Sequence, residues 1–477
     1  MGMVEQESVL NKCQIFTPEK YANKLLEYAG YKKNLFGKKI LENSCGDGEI
    51  LKVIVNKYIN SLLKMKTLDE IKFGLENDIY GIELDKEHYS TCLKNLDMIA
   101  GTYGIRNVNW KVFNENALKK EWDKKFDYII GNPPYISYKD INDTIRKELK
   151  EKYTSCKKGK FDYYYAFIEE SLNCLSSFGK FVYLIPNSIF KNEFGEELRK
   201  IILPSLSKIV DYKSHKIFKN VSTTSAILIC DKRKKKKSML YFDYENKNQI
   251  KILKENLNKK WIFVEEKNDL LKDNLKKFGD YFKVSMGVAT LSNKSFVIND
   301  YKEDEIYVYK NGMKIEREIL KRGASPSGMK KGKNELIIFP YKYIEDKLYK
   351  FSEEEFGTLF PEAKNYLLHH YEALMERDAD RSAKWFEYGR SQALQYLNTD
   401  KLILSTLITN RVETYILNDT YIPYSGIYII AKSNLPLKLA QQILESQEFY
   451  KYIKNVGKNA SGKTIMITAK DINNYYF

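Results

Sequence analysis

Histidine is nearly absent, with 4 in 477 residues, and the 6 cysteines form no CxxC pair. Clustered Cys/His zinc sites and disulfide frameworks both need characteristic cysteine spacings, so neither is expected and no metal is assigned. His369 and His370 are adjacent and point to different faces of a helix, so they read as structural or solvated residues. No run approaches the roughly 18 uncharged apolar residues that cross a bilayer. The opening MGMVEQESVLNK lacks the basic-then-apolar pattern of a signal peptide. These absences lead to the expectation of a cytoplasmic chain with no membrane association. A GxGxxG fingerprint is missing as well, which removes the ordinary dinucleotide-binding dehydrogenases. Internal repeats and low-complexity tracts are also lacking.

Positive charge, by contrast, is in excess: 79 Lys and Arg against 63 Asp and Glu give a formal +16. Cationic proteins bind polyanions by releasing condensed counterions from phosphates, which makes nucleic acid the leading partner. An AT-rich coding bias toward lysine is the competing explanation of the same charge. With 43% apolar and 14% aromatic residues the chain is built to pack. Its length exceeds one ordinary domain and suits two.

From Lys38 to about Cys230, short β-like runs alternate with helix-like stretches: KKILENS, DIYGIELD, VNWKVFN, FDYIIGNPPY, GKFVYLIP, KIVDYKS and TTSAILIC. Segments such as DKEHYSTCLKNLDMIAG carry apolar residues at helical spacing between them. The alternation predicts a Rossmann-like α/β sheet with crossover helices over residues 1–230. After the lysine run 234–237, which reads as a turn, a stretch at 231–280 has weaker periodicity and is expected to connect to a second domain at 281–477.

Three motifs carry chemistry. ILENSCGDGEIL, with Ser44 in its turn, places Gly46 and Gly48 between a strand and a helix. Glycine there lets a ligand approach the backbone, and Glu42 and Asp47 suit the cationic amino group of a methionine moiety. An anionic pyrophosphate would be repelled by this acidic turn. The next strand ends in YGIELD, where Glu83 is positioned to accept from ribose hydroxyls and Asp85 to cap a helix. Then Asn132-Pro133-Pro134-Tyr135 follows the apolar strand FDYII. Consecutive prolines forbid ladder hydrogen bonds and leave carbonyls pointing into a site. The Asn132 side-chain oxygen and the Pro133 carbonyl together would accept both N–H groups of a heterocyclic amine, with Tyr135 stacking on the ring. Methyl displacement onto such an amine needs positioning and polarisation, with neither a metal nor a covalent nucleophile.

In content and order these motifs resemble the gamma class of N6-adenine DNA methyltransferases, like the TaqI and Eco57I modification enzymes. The resemblance implies a Rossmann-like S-adenosylmethionine-dependent methyltransferase domain followed by a mixed α+β DNA specificity domain, with S-adenosyl-L-methionine as methyl donor and double-stranded DNA as partner. It implies that Phe16, Thr17 and Pro18, after Ile15, close over the methionine end of the cofactor. Asn116 falls where the family usually has an aspartate toward the cofactor's adenine. Tyr164 or Tyr165 would wall the pocket, and Phe218 would be a second aromatic against a flipped adenine. In the C-terminal half, SMGVATLSNKSFVI, LIIFPY and KWFEYGRSQAL are similar to a TaqI-like specificity domain, with Arg377, Trp385, Arg390, Ser391 and Lys463 as candidate DNA contacts. No dimer motif is detectable, so a monomer is expected, and because the chain begins almost at the first motif, with no room for an N-terminal nuclease, a cognate endonuclease is expected to be separately encoded. Methylation of RNA or of a protein amide, a fused nuclease, and an inactive DNA-reading subunit stay open as alternatives.

Overall fold

The computed structural model describes residues 16–218, 224–233, 236–263, 275–461 and 463–477. Ile15 and positions 234–235 of the lysine run lie outside the described residues. The chain divides into two compact units, Met1–Glu266 and Lys267–Phe477.

Unit 1 is built on a nine-stranded sheet. Its strands are β1 (Ile40–Glu42), β2 (Ile79–Glu83), β3 (Lys111–Asn114), β4 (Phe126–Gly131), β5 (Leu175–Pro186), β6 (Leu206–Asp211), β7 (Ser225–Asp231), β8 (Ser238–Asp243) and β9 (Asn248–Leu253). The order is β3-β2-β1-β4-β5-β7-β6-β8-β9. Pairing is parallel from β3 through β5, and β7 runs antiparallel to both β5 and β6. The seven apolar runs read from the sequence are β1 to β7, and the expected α/β fold is present.

Helices α1 (Glu19–Ala29), α2 (Glu49–Leu62), α3 (Leu68–Asp78) and α4 (Lys86–Gly101) cover one face of this sheet. On the other lie α5 (Asp143–Lys152), α6 (Tyr164–Cys174) and α7 (Glu196–Ile202). Because strand side chains alternate between faces, Ile129 joins the core beneath α5 to α7 while Ile130 joins the one beneath α1 to α4. Phe181, Val182, Tyr183 and Leu184 alternate in the same way. Burial on both faces explains why the central strands read as continuous apolar runs.

The stretch 231–280, expected to be a connection, instead supplies β8 and β9, which extend the sheet. Met239 and Tyr241 are buried opposite Ile252 and Ile250, while Leu240 and Lys251 face outward. One solvated face with lysine and asparagine on it weakened the apolar signal there. Trp261, buried and stacked on Phe190 at 6.2 Å between ring centroids, packs the residues just after β9 onto the core of unit 1.

Unit 2 is mixed α+β. An antiparallel sheet of Phe282–Met286, Ile427–Ala431, Lys401–Leu404 and Thr414–Leu417 separates two apolar clusters. Ile403 and Tyr428 face one cluster, whereas Leu402, Leu404, Ile427 and Ile429 face the other. A second four-stranded sheet, Val297–Ile298, Glu335–Ile338, Leu320–Ala324 and Tyr421–Pro423, lies in the first of these clusters. Among the described residues no helix is long and apolar enough to cross a membrane.

Ile129 is fully buried at the centre of unit 1. Ile129→Ala is expected to destabilise that unit by about 2–5 kcal/mol through lost burial and the cavity left behind, read as a lower midpoint in chemical denaturation.

Candidate active site

Strand β1 pairs in parallel with β2 on one edge and β4 on the other, so the chain leaves their carboxyl ends in diverging directions. Such a switch point opens a crevice at the strand ends, where α/β proteins bind ligands. Both major sequence motifs sit on this edge: residues 43–48 after β1 and 132–135 after β4.

The turn after β1 depends on its glycines. Gly46 has φ 51° and Gly48, at the start of α2, has φ 82°, a region L side chains avoid. A Cβ on Gly48 would also lie 2.7 Å from Cys92 Sγ on α4. The Gly46 N–H donates to Glu83 Oε2 at 2.8 Å, and the Asp85 N–H donates to Glu83 Oε1 at 2.8 Å. Glu83 thereby ties the β1 turn to the end of β2, and each of its oxygens keeps a further lone pair for a ligand. Burial raises its pKa against the pull of these two donors. Asp85 caps α4, as the sequence led us to expect, by accepting from the N–H groups of Glu87 and His88.

Glu42 is buried, and its Oε2 has no hydrogen-bond partner among the described residues. Burial, with Cys92 and Glu83 nearby, pushes its carboxyl well above the usual range. Asp47 meets the His88 ring nitrogen Nδ1, and the Asp47 carbonyl accepts from Asn95 Nδ2 at 2.8 Å. The Phe16 ring lies 5.4 Å from that of His88, and a Cβ on Gly46 would be 3.3 Å from Phe16. Thr17 is buried and Pro18 precedes α1, so the Phe16 to Pro18 segment runs against the glycine turn. His88 had no sequence signal, since it is 41 residues from Asp47 and follows an ordinary cap.

At the end of β4, Ser44 Oγ donates to the Asn132 carbonyl at 3.3 Å, joining the two motifs. The Tyr135 hydroxyl lies 2.6 Å from Asn132 Oδ1 and 2.9 Å from the Leu184 carbonyl. One O–H proton serves one of these acceptors at a time. Burial pushes the Tyr135 pKa well up, so the hydroxyl remains a donor. Its ring meets Tyr164 edge-on at 6.0 Å, and Tyr165 packs against Tyr164 at 5.0 Å. Pro133 is buried beside them. Beneath this edge Tyr183 donates to Asn43 Oδ1, Asn43 Nδ2 donates to Ser171 Oγ at 3.0 Å, and Ser171 and Tyr183 share a bond of 2.8 Å.

Phe218 is buried in the cluster that Tyr135 borders. Its loop is anchored at both ends. Asp211 accepts from the Lys213 N–H at 3.0 Å, from Asn187 Nδ2 at 3.0 Å and from the Tyr241 hydroxyl at 2.9 Å. Thr224 Oγ1 in turn donates to Asn187 Oδ1 at 2.6 Å. Sequence reasoning missed Asn187, Asp211 and Thr224, because nothing local marks three polar residues on different elements as neighbours. Asn116 follows β3, where its Oδ1 accepts from the Leu118 N–H at 2.9 Å. With Leu118, Tyr153 and Tyr163 it lines a cleft of about 460 Å³.

In unit 2, Arg377 donates through Nε to Leu374, through Nη1 to Thr290 and Glu387, and through Nη2 to Trp385, all backbone carbonyls. Trp385 Nε1 donates to Glu353 at 3.0 Å. Arg390 pairs with Asp378 and Asp380, and the Ser391 N–H donates to Asp380 as well. Lys463 is exposed on a different element, the hairpin of Lys458–Ser461 and Thr464–Met466.

Burial opposes a proton on His88, but the hydrogen bond and charge of Asp47, with Asp85 and Glu83, outweigh it and raise its pKa above the ordinary 6.5. The pair therefore stabilises the fold fully below about pH 6.5, and that contribution fades as pH rises through the raised folded value. In an NMR titration His88 is expected to titrate above its ordinary value, and Asp47→Asn to bring it down. An unchanged His88 titration in that variant would show the pairing to be absent in solution.

Residues 34–218 match the family model described as the Eco57I restriction-modification methylase. The chain is 24% identical to the Type II restriction enzyme and methyltransferase RM.Eco57I of Escherichia coli, over 87% of this chain and 50% of that protein. It is also 24% identical to the Type II methyltransferase M.BstVI of Geobacillus stearothermophilus, over 98% of this chain and 90% of that one. Among solved structures, the Type IIL restriction-modification enzyme MmeI in complex with DNA superposes with a TM-score of 0.62 at 15% identity, covering 99% of this chain and 65% of MmeI. The chain thus spans half the length of the Escherichia coli relative and nearly all of the Geobacillus one. The family match places an Eco57I-type restriction-modification methylase domain at residues 34–218, within unit 1.

Proposed function

We propose that this protein is a site-specific, adenine-specific DNA methyltransferase, acting from S-adenosyl-L-methionine on N6 of an adenine turned out of the duplex. The observation that carries the reading is the bond from Ser44 to the Asn132 carbonyl at 3.3 Å. It ties the turn suited to the methyl donor to the backbone of the residue whose side-chain oxygen is suited to the amine. The net charge of +16 and the Type II restriction-modification relatives favour DNA as the partner.

The residues at the switch point fit the cofactor. Glu42 Oε2, buried and unpartnered, matches a cationic amino group, which would hold the carboxylate ionised. Glu83 keeps lone pairs for ribose hydroxyls, and Gly46 and Gly48 leave room where side chains would intrude. Phe16, Thr17 and Pro18 would cover the cofactor's methionine end, and Asn116, in the cleft after β3, would hold its adenine side. When bound, the cofactor supplies an electrophilic methyl group.

This chain's own groups then position the amine. Asn132 Oδ1 and the Pro133 carbonyl accept its two N–H bonds and direct the nitrogen lone pair outward. The Tyr135 hydroxyl donates to the same Oδ1 in exchange with the Leu184 carbonyl and so holds that oxygen in place. Tyr135 and Phe218 provide aromatic surface for a base whose unstacking costs a few kcal/mol. Catalysis on this account is orientation, and the proton leaves the methylated amine to solvent. The protein would act as a monomer and protect sites cut by a separately encoded endonuclease.

Single-molecule sequencing of DNA from a methylation-free host is expected to show N6-methyladenine at one short motif with the wild type. Asn132→Ala should lower it by about 10²–10³-fold while cofactor affinity measured by calorimetry is largely kept. Activity retained with cofactor binding lost would reverse the assignment of Asn132.

Glu42 provides an independent pH test. Because its pKa is raised, its carboxylate is lost at a higher pH than that of an ordinary glutamate as the solution is acidified. Cofactor affinity should therefore fall with acidity above the ordinary carboxylate range, and Glu42→Gln should bind more weakly with a flat profile. A profile identical in wild type and variant would remove Glu42 from the cofactor site.

A further inference from the structure

Unit 2 contains a cleft of about 490 Å³ between the segment Pro326–Lys330 and the loop that links Lys401–Leu404 to Thr414–Leu417. Ser405, Thr409, Asn410, Arg411, Lys330 and Tyr415 line it. Thr409, Asn410 and Arg411 are exposed. At the mouth Glu413 binds two cations at once: Lys330 Nζ at 2.7 Å and Arg411 Nη2 at 3.0 Å. One carboxylate against two cations leaves the mouth positive, and exposed Lys331 and Lys333 follow in sequence. Thr409 Oγ1 meets Thr464 Oγ1 at 3.1 Å, which brings the hairpin carrying Lys463 to the same rim.

We propose that this cleft reads base edges of duplex DNA, with Arg411 and Asn410 addressing the bases and Lys330 and Lys463 taking phosphates. The inference rests on the DNA-methyltransferase reading above and deepens it. Guanidinium, amide and hydroxyl groups side by side form the donor and acceptor set that base edges require, whereas lysines alone would serve phosphates irrespective of sequence. The Arg411 to Glu413 pair is exposed, with 79% of the arginine side chain open to solvent, and such pairs are weak. Arg411 can therefore exchange its carboxylate for a base. Arg377 is held differently, donating to four carbonyls of its own unit.

The test is the methylated motif itself, read by single-molecule sequencing of DNA from a methylation-free host carrying wild type, Asn410→Ala or Arg411→Ala. At least one variant should tolerate another base at one position of the motif, its preference for the wild-type base there falling on the order of ten- to a hundredfold. Both should keep the wild-type melting temperature, because both side chains are exposed. An unchanged motif at an unchanged level in both variants overturns the proposal and leaves the methyltransferase reading standing. A uniform drop at every sequence also overturns it, since that marks phosphate contacts alone. A wild type that methylates no DNA removes the underlying reading and this proposal with it.

Discussion

Parallel pairing of β1 on both of its edges is the constraint on which the candidate site depends. A strand flanked by β2 and β4, both running its way, must release the chain at the same end of the sheet as its neighbours. The turn at Ser44 to Gly48, the acidic end of β2 and the prolines after β4 are thereby delivered to one edge from points nearly ninety positions apart in the chain. Right-handed crossovers through helices make this arrangement the standard solution for a parallel sheet. The sheet's two apolar faces hold it in place, since β4 and β5 bury alternate side chains on each side.

Below that edge, hydrogen bonds do what apolar packing cannot. A buried amide or hydroxyl without a partner costs about 1–3 kcal/mol. The network of Asn43, Ser171 and Tyr183 therefore accepts only one relative placement of β1, α6 and β5. The Asp211 network acts similarly, since its carboxylate receives three donors and fixes both ends of the loop with Phe218. Glu42 is the exception among these buried polar groups. Its oxygen, unpartnered among the described residues, keeps a cost that the rest of the turn has avoided, and the proposed contact with a cationic amino group would remove it.

Unit 2 shows the opposite use of charge. Arg377 and Arg390 are in segments that resemble a specificity domain, yet their guanidinium donors are engaged in holding the chain around residues 374–391. Lys401 is buried outright, donating to the carbonyls of Asn418 and Tyr421 at 2.9 and 3.0 Å, and burial lowers its pKa to about 8. Residue type alone does not distinguish a cation that closes a turn from one that faces a partner. The distinction rests on which acceptors surround it, and those come from distant segments.

The local and periodic features were legible in the sequence alone. The seven strands β1 to β7, the glycine turn, the acidic end of β2 and the proline pair after β4 are all written in short windows, because strand alternation and turn chemistry act between near neighbours. Their order carried the resemblance to the methylase family. Tertiary structure alone decided what depends on distant partners: that β8 and β9 join the sheet through half-solvated faces, and that His88 pairs with Asp47. It also decided that Tyr135 meets Asn132 through its hydroxyl, that Asp211 anchors the loop with Phe218, and that the candidate arginines of unit 2 are bound within their own fold. Hydrogen bonds and ion pairs form between whichever groups the fold brings within about 3 Å, and a sequence window does not contain that distance.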